Sequence, residues 1–341
     1  MRAAQYRGEH RITVDEVAAT EPAAGQVQID VAYTGICGTD LHVLHGSMDS
    51  RVTTPQSIGH EMSGTIAAVG EGVTDIAVGD QVTVMPLDAC GSCPACEAGN
   101  GHVCQRLNFV GIDSPGSLQE RWNVDAALIV PLPASLSLRH AALVEPLAVA
   151  CHDVARGRVA AGEHVVVVGG GPIGQLIALV ARATGAHVLV VEPNAERRAL
   201  AERLGADTLD PIGADVPAVV DERTGGAGAD VVFEVAGVAA TALSSPHLAR
   251  VRGRVVMVAI HAQPVPIDLH RVFWRELELI GARVYERADF ERAVDLLASG
   301  QVPADELITR VVPLDDTQAA FEALAVGDAM KILVDVQGAR A

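Results

Sequence analysis

Val165-Val166-Val167-Val168-Gly169-Gly170-Gly171-Pro172-Ile173-Gly174 decides how the second half of this chain folds. Four consecutive valines read as a strand buried on both faces, the pattern of a parallel sheet covered by helices. The glycines that follow satisfy G-x-G-x-x-G, and their place between a buried strand and a helix gives that pattern its meaning. Gly169 permits the tight turn, Gly171 lets the backbone approach a pyrophosphate, and Gly174 lets helix pack on strand. The helix N-terminus then offers unpaired N–H groups and partial positive charge to phosphates. Gly169, Gly171, Ile173 and Gly174 are therefore candidate cofactor-binding residues. The competing reading is a purely structural glycine turn.

Outward from this stretch, a helix is expected from Gly174, with Leu176, Leu179, Val180 and Ala183 on one face and a stop at Gly185. His187–Val191 is the next strand, and it closes on Glu192, eighteen residues past Gly174. A carboxylate there can accept ribose hydroxyls and repel a 2′-phosphate, so the expected cofactor is NAD rather than NADP. Arg197 and Arg198 are the counter-signal, since an arginine can accommodate that phosphate. Asn194 reads as the N-cap of a helix ending at Gly205. Residues 230–235 and 254–260 supply further strands.

The first 140 residues read differently, as short strands punctuated by turns: 26–33 alternates polar and apolar, and 65–69 and 81–85 continue the pattern. A helix over 289–299 and strands near Val311 and over 331–336 end the chain. The expected class is α/β. A β-rich domain at 1–150 is interrupted by a doubly wound, Rossmann-type parallel sheet at 151–284, and residues 285–341 return to the first domain.

With 341 residues, 49% hydrophobic, the chain can build two cores, but at 3% aromatic they must be packed by aliphatic side chains. The formal charge of −18 and the lack of any basic tract longer than Arg197-Arg198 argue against nucleic acid as a partner. Apolar stretches are broken before about 18 residues, against a membrane span. No apolar leader is expected at the start, so the reading is a soluble protein of a reducing compartment, the cytoplasm.

Four of six cysteines, Cys90, Cys93, Cys96 and Cys104, crowd into fifteen residues. Spacings of two, two and seven suit a tetrahedral zinc with four sulfurs, closed to substrate and therefore structural. An iron–sulfur cluster is the alternative, but the Cys-Pro that closes the bacterial ferredoxin run is missing. Two disulfides fit neither the compartment nor the crowding. A second metal would use scattered residues: Cys37 in Gly35-Ile36-Cys37-Gly38-Thr39-Asp40, His60 and Glu61 in Gly59-His60-Glu61, and Glu145 before Pro146. Each alone reads more simply as a core or surface residue. Cys151 reads as a buried thiol, and His45 and His102 as loop residues.

Taken together and in this order, these motifs resemble the zinc-containing medium-chain dehydrogenases over nearly the whole chain. The Glu145-Pro146-Leu147-Ala148 segment and Glu61 after His60 are most similar to the polyol branch, the sorbitol-, butanediol- and threonine-dehydrogenase-like enzymes. The resemblance implies a GroES-like catalytic domain with a zinc lobe at 88–106, and a homodimer or homotetramer. It implies catalytic zinc on Cys37 and His60, with Glu61 and Glu145 either ligating it or holding its water. Thr39 and His42 match a proton relay. Glu192, Arg197, Val258, Ile260, Val284 and Tyr285 match cofactor-contact positions. The expected activity is hydride transfer from a secondary alcohol of a small polyol or vicinal diol to NAD. Such chemistry suits a Lewis acid beside one thiolate, one imidazole and carboxylates, with a proton relay into solvent. An L-threonine 3-dehydrogenase-type activity is the alternative, and a binding or regulatory protein that kept the fold without turnover is the non-enzymatic one.

Overall fold

A computed structural model describes residues 1–261, 263–327 and 329–338. Two compact units are formed, one from Met1–Glu145 with Glu286–Ala341 and the other from Pro146–Tyr285.

The first unit is organised by the long strand Gln26–Gly35, whose alternation of Val27, Ile29 and Val31 buries one face of the sheet. It pairs antiparallel with Glu61–Val69, Lys331–Asp335 and Arg121–Asp125. The full sheet runs Ile308–Pro313, Lys331–Asp335, Gln26–Gly35, Glu61–Val69, Gln81–Val84, Ile129–Pro131, with Arg121–Asp125 as a branch. Register brings the chemistry-bearing strand ends together, because Gly35 lies opposite both Glu61 and Leu333. A side chain at Gly35 would meet the Glu61 carboxylate at 2.2 Å, so this position must stay bare. Strand 26–35 then leads into the helix Gly38–Leu44. The N-cap of that helix is Cys37, and Asp40 completes a capping box by accepting the Cys37 amide at 2.9 Å. The four cysteines lie on a loop with a short α-helix, Pro94–Glu97, which begins with the proline that its first turn tolerates, and a 3-10 turn, Gly101–Val103.

The second unit is a six-stranded sheet in the order Asp207–Leu209, His187–Val191, His164–Val168, Ala229–Glu234, Ala249–Met257, Glu278–Gly281, parallel throughout. Strand order reverses between His164–Val168 and Ala229–Glu234, the switch point where such sheets open a crevice at their carboxyl ends. Val166, Val168, Leu189, Val191, Val232 and Val255 fill one face of the sheet together with Val220 and Leu248. The 165–168 valine run is indeed buried, at 6% exposure or less.

Local expectations need two corrections. The first helix of this unit begins at Pro172, and its buried stripe runs through Leu176, Ile177, Val180 and Ala181, while Ala183 is exposed. Pro172 supplies the first turn, and Gly174 packs against the Gly169 carbonyl, so the covered face follows Gly174, Ile177, Ala178 and Ala181 and leaves Ala183 outside. The strand expected over 254–260 stops at Met257, because the Val258 and Ala259 amides both turn onto the Glu234 carbonyl. Val258 and Ile260 therefore lie in a loop, with Ile260 65% exposed.

Candidate functional site

Two segments distant in sequence converge in the first unit. Cys37 caps its helix, and His60 and Glu61 begin the strand opposite Gly35. Donor atoms of all three lie within 4.8 Å of one another. His60 and Glu61 are 2% and 1% exposed. The Asp40 Oδ1 faces His60 Nδ1 at 3.3 Å, which leaves Nε2 as the nitrogen available to a metal. A carboxylate behind a histidine is the arrangement that orients metal-ligating imidazoles. Burial alone would push the His60 pKa down, but Asp40 and the Cys37 sulfur hold it well above the ordinary value.

Lys331 is the residue that sequence reasoning missed. Its ammonium is buried and donates to both Glu61 oxygens at 2.7 Å and to the Ile36 carbonyl at 3.2 Å. Burial disfavours the charge, yet Glu61, then Cys37, keep the pKa raised. Glu145 acts on the same ammonium and is itself 4% exposed in the first turn of Val144–Arg156. An ammonium set beside two carboxylates offsets part of their mutual repulsion. A carboxylate offers about four lone-pair sites, so Glu61 can serve Lys331 and a metal together. Thr39 and His42 sit three residues apart on one helix face, and among the described residues no hydrogen bond joins them. Asp40 was legible only as the end of Cys37-Gly38-Thr39-Asp40, and Lys331 carried no local signal.

The four-cysteine lobe is a different kind of site. Its sulfurs lie 3.4 Å (Cys90 to Cys104), 3.5 Å (Cys93 to Cys96), 3.7 Å (Cys93 to Cys104) and 4.0 Å (Cys90 to Cys96) apart. A tetrahedron with metal–sulfur bonds of about 2.3 Å has edges of roughly 3.8 Å, and these four separations lie close to that spacing. The Ser92 amide and the Arg106 guanidinium push the Cys90 thiol down to about 5, while burial pushes Cys96 up to about 12. Four thiols so close cannot all ionise without a cation among them. His102 faces Glu286 at 3.7 Å.

In the second unit the glycine turn has separate jobs for its members. Gly169 has φ +108°, and a side chain there would press on the Ala236 amide at 2.9 Å. A side chain at Gly174 would lie 1.9 Å from the Gly169 carbonyl. Gly171 faces open space, which suits backbone approach by a ligand rather than internal packing. Ile173 is half-buried in the first turn of the helix. Glu192 is 5% exposed, and its oxygens accept the Gly170 amide at 2.7 Å and the Asn194 amide at 2.8 Å. The residue expected to face a ribose therefore also braces the glycine turn, with lone pairs to spare. Arg198 is tied to the Glu192 and Pro193 carbonyls and to Asp210. Among the described residues the Arg197 guanidinium has no such tie. Val284 holds φ +51°, a costly conformation for a β-branched residue, and the adjacent Tyr285 is fully buried.

Comparison with known proteins adds the following. Residues 23–134 match the alcohol dehydrogenase GroES-like domain, and 172–299 match the zinc-binding dehydrogenase domain. A 2-dehydro-3-deoxy-L-galactonate 5-dehydrogenase from Pseudoalteromonas atlantica is 55% identical, over 94% of each chain. A sorbitol dehydrogenase from Halalkalibacterium halodurans is 34% identical over 96% of each. A zinc-binding dehydrogenase from Sinorhizobium meliloti, bound to NADP, superimposes with a TM-score of 0.93 at 35% identity, covering 98% of both chains. The 2R,3R-butanediol dehydrogenase of Bacillus subtilis gives 0.90 at 34% identity, covering 98% of this chain and 99% of its own.

Proposed function

The chain belongs to the zinc-containing medium-chain alcohol and polyol dehydrogenases, and on that premise we propose that it oxidises a secondary alcohol of a polyhydroxylated chain, a polyol or its sugar acid, with NAD. The observation that carries this reading is the convergence of Cys37, His60 and Glu61 donor atoms within 4.8 Å. Relatives acting on sugar acids and polyols favour that substrate class over L-threonine. Residues 1–150 and 285–341 serve substrate and metal, and 151–284 serve the cofactor.

Cys37, His60 and Glu61 would hold the catalytic zinc, with Glu145 in place of Glu61 as the alternative ligand. Bound there, zinc supplies Lewis-acid polarisation of the alcohol oxygen, and the nicotinamide accepts the hydride. The chain's residues handle the proton and the geometry. Thr39 Oγ accepts the hydroxyl proton as it releases its own, and His42 passes the released proton to solvent. Asp40 fixes the His60 ring, and Lys331 aims the Glu61 carboxylate through its two hydrogen bonds. Cys90, Cys93, Cys96 and Cys104 hold the second, structural zinc. Gly169, Gly171, Ile173 and Gly174 cradle the pyrophosphate, and Glu192 takes the ribose hydroxyls. Val258, Ile260 and Val284 flank the nicotinamide half, and Tyr285, fully buried, supports them from within the core. NADP is the second reading, favoured by the unpaired Arg197 and by the NADP-bound Sinorhizobium neighbour.

The protein is a homodimer or homotetramer in this reading. The sheet edge Glu278–Gly281 has no partner on its outer side among the described residues, and Phe273 and Trp274 are 72% and 68% exposed on the helix Leu269–Arg275. A second copy would cover both.

A panel of polyols, vicinal diols, sugar acids and L-threonine with NAD and NADP, before and after chelation, tests the reading. Chelator-sensitive turnover of a polyol or sugar acid with NAD supports it. Turnover of L-threonine alone, or none on any alcohol, overturns it.

A further inference from the structure

Between Arg51 and Arg121 the chain contains a single lysine or arginine, Arg106. It stands two residues beyond the last cysteine of the lobe. Its backbone amide donates to Cys104 Sγ at 3.3 Å, and its guanidinium Nη2 donates to Cys90 Sγ at 3.4 Å and to Ser92 Oγ at 2.8 Å. One residue thus touches two of the four sulfurs, once through the backbone and once through the side chain. Cys90 and Cys96 are the two partly exposed sulfurs, whereas Cys93 and Cys104 are 4% and 6% exposed. The guanidinium covers one of the partly exposed pair.

We propose that Arg106 is a positioning residue for the structural metal, holding Cys90 in its ligating place and shielding that sulfur from competing ligands. The proposal rests on the lobe being a zinc site. Four thiolates around one divalent ion leave about two negative charges uncompensated, and the nearby Asp88 and Glu97 add to them. A lone guanidinium bonded to a sulfur offsets that charge where Cys90 meets solvent. A planar donor braced on Ser92 has less freedom to drift than an ammonium on a flexible stem. Outer partners of this kind change metal affinity by about 10–100-fold when removed, so loss of Arg106 should be read in metal retention and not in turnover.

The test uses full-length, zinc-loaded protein in a Cys37→Ser background, in which zinc is held only in the lobe. Transfer of that zinc to a chromogenic chelator is timed with Arg106 in place, in Arg106→Gln and in Arg106→Lys. The expected result is release about tenfold or more faster in Arg106→Gln, with an intermediate rate in Arg106→Lys. With cobalt in the lobe, the thiolate-to-metal charge-transfer band should move to lower energy in Arg106→Gln, because a sulfur that loses its hydrogen bond donates more readily. Equal release rates together with an unmoved cobalt band would overturn the role of Arg106. A Cys37→Ser protein that carries no zinc at all, and takes up no cobalt, would instead overturn the lobe as a metal site.

Discussion

Two metal-competent clusters in one unit are built on opposite plans. The lobe takes its four sulfurs from fifteen consecutive residues, and they stand 3.4–4.0 Å apart with every position filled by the chain. The other cluster takes one donor from a helix cap and two from a strand start, leans on Asp40 and Lys331, and spends only three donors within 4.8 Å. The first can form wherever its loop closes. The second exists only once the strands 26–35, 61–69 and 331–335 are in register. A closed local site suits stability, and an open site assembled from distant segments suits chemistry, since a position remains for substrate.

Because the open cluster depends on distant residues, changes far from it in sequence should hurt it most. Lys331→Met leaves Glu61 buried without its cation, and the expected loss is about 3–5 kcal/mol in urea unfolding. The double variant Lys331→Met/Glu61→Gln should recover part of that loss. Equal stability of the single variant and the parent would mean that Lys331 is not what holds this cluster. Asp40→Asn removes the carboxylate behind His60 and should weaken metal retention at that site by about 10–100-fold; zinc titration should find the lobe unchanged. If both sites lose metal alike, the two are not independent.

These dependencies mark the limit of what the sequence discloses. The lobe could be read outright, because metal spacing is a local property. The valine run and glycine turn could be read as well, because burial pattern and turn chemistry are local. Cys37, His60 and Glu61 became readable as one cluster only through the order of their motifs across the chain. Lys331 and the bare Gly35 could not be read at all, since each matters through a partner on a neighbouring strand. Small errors came from the same source. Which face of the helix after Gly171 is covered, and where the strand before Val258 ends, are set by tertiary contacts that periodicity does not contain.

Two smaller tests sharpen the contrast. In the cofactor unit, Glu192→Ala should shift the NAD-over-NADP preference by about tenfold, roughly 1.4 kcal/mol. It should also cost about 1 kcal/mol for each backbone amide it orphans. An unchanged cofactor ratio alongside lost stability would leave Glu192 as a brace only. In the first unit, buried Tyr6 donates to Asp49 at 2.8 Å, and burial followed by that carboxylate pushes its pKa up to about 12. A raised folded-state value means that the stabilisation is complete below about pH 10, the ordinary tyrosine value, and is lost as the pH climbs through about 12. The size is on the order of 2 kcal/mol. Tyr6→Phe should flatten the alkaline slope of unfolding, and an identical slope would remove Tyr6 from the account.

The division of labour between the clusters is tested most directly by zinc content and turnover, measured together on the parent, Cys37→Ser and Cys93→Ser. The account predicts two zinc ions per chain in the parent and one in each variant. Turnover should vanish in folded Cys37→Ser and persist per folded molecule in Cys93→Ser, whose melting temperature falls instead. Folded Cys37→Ser that still turns over, or fully stable Cys93→Ser that does not, would contradict it.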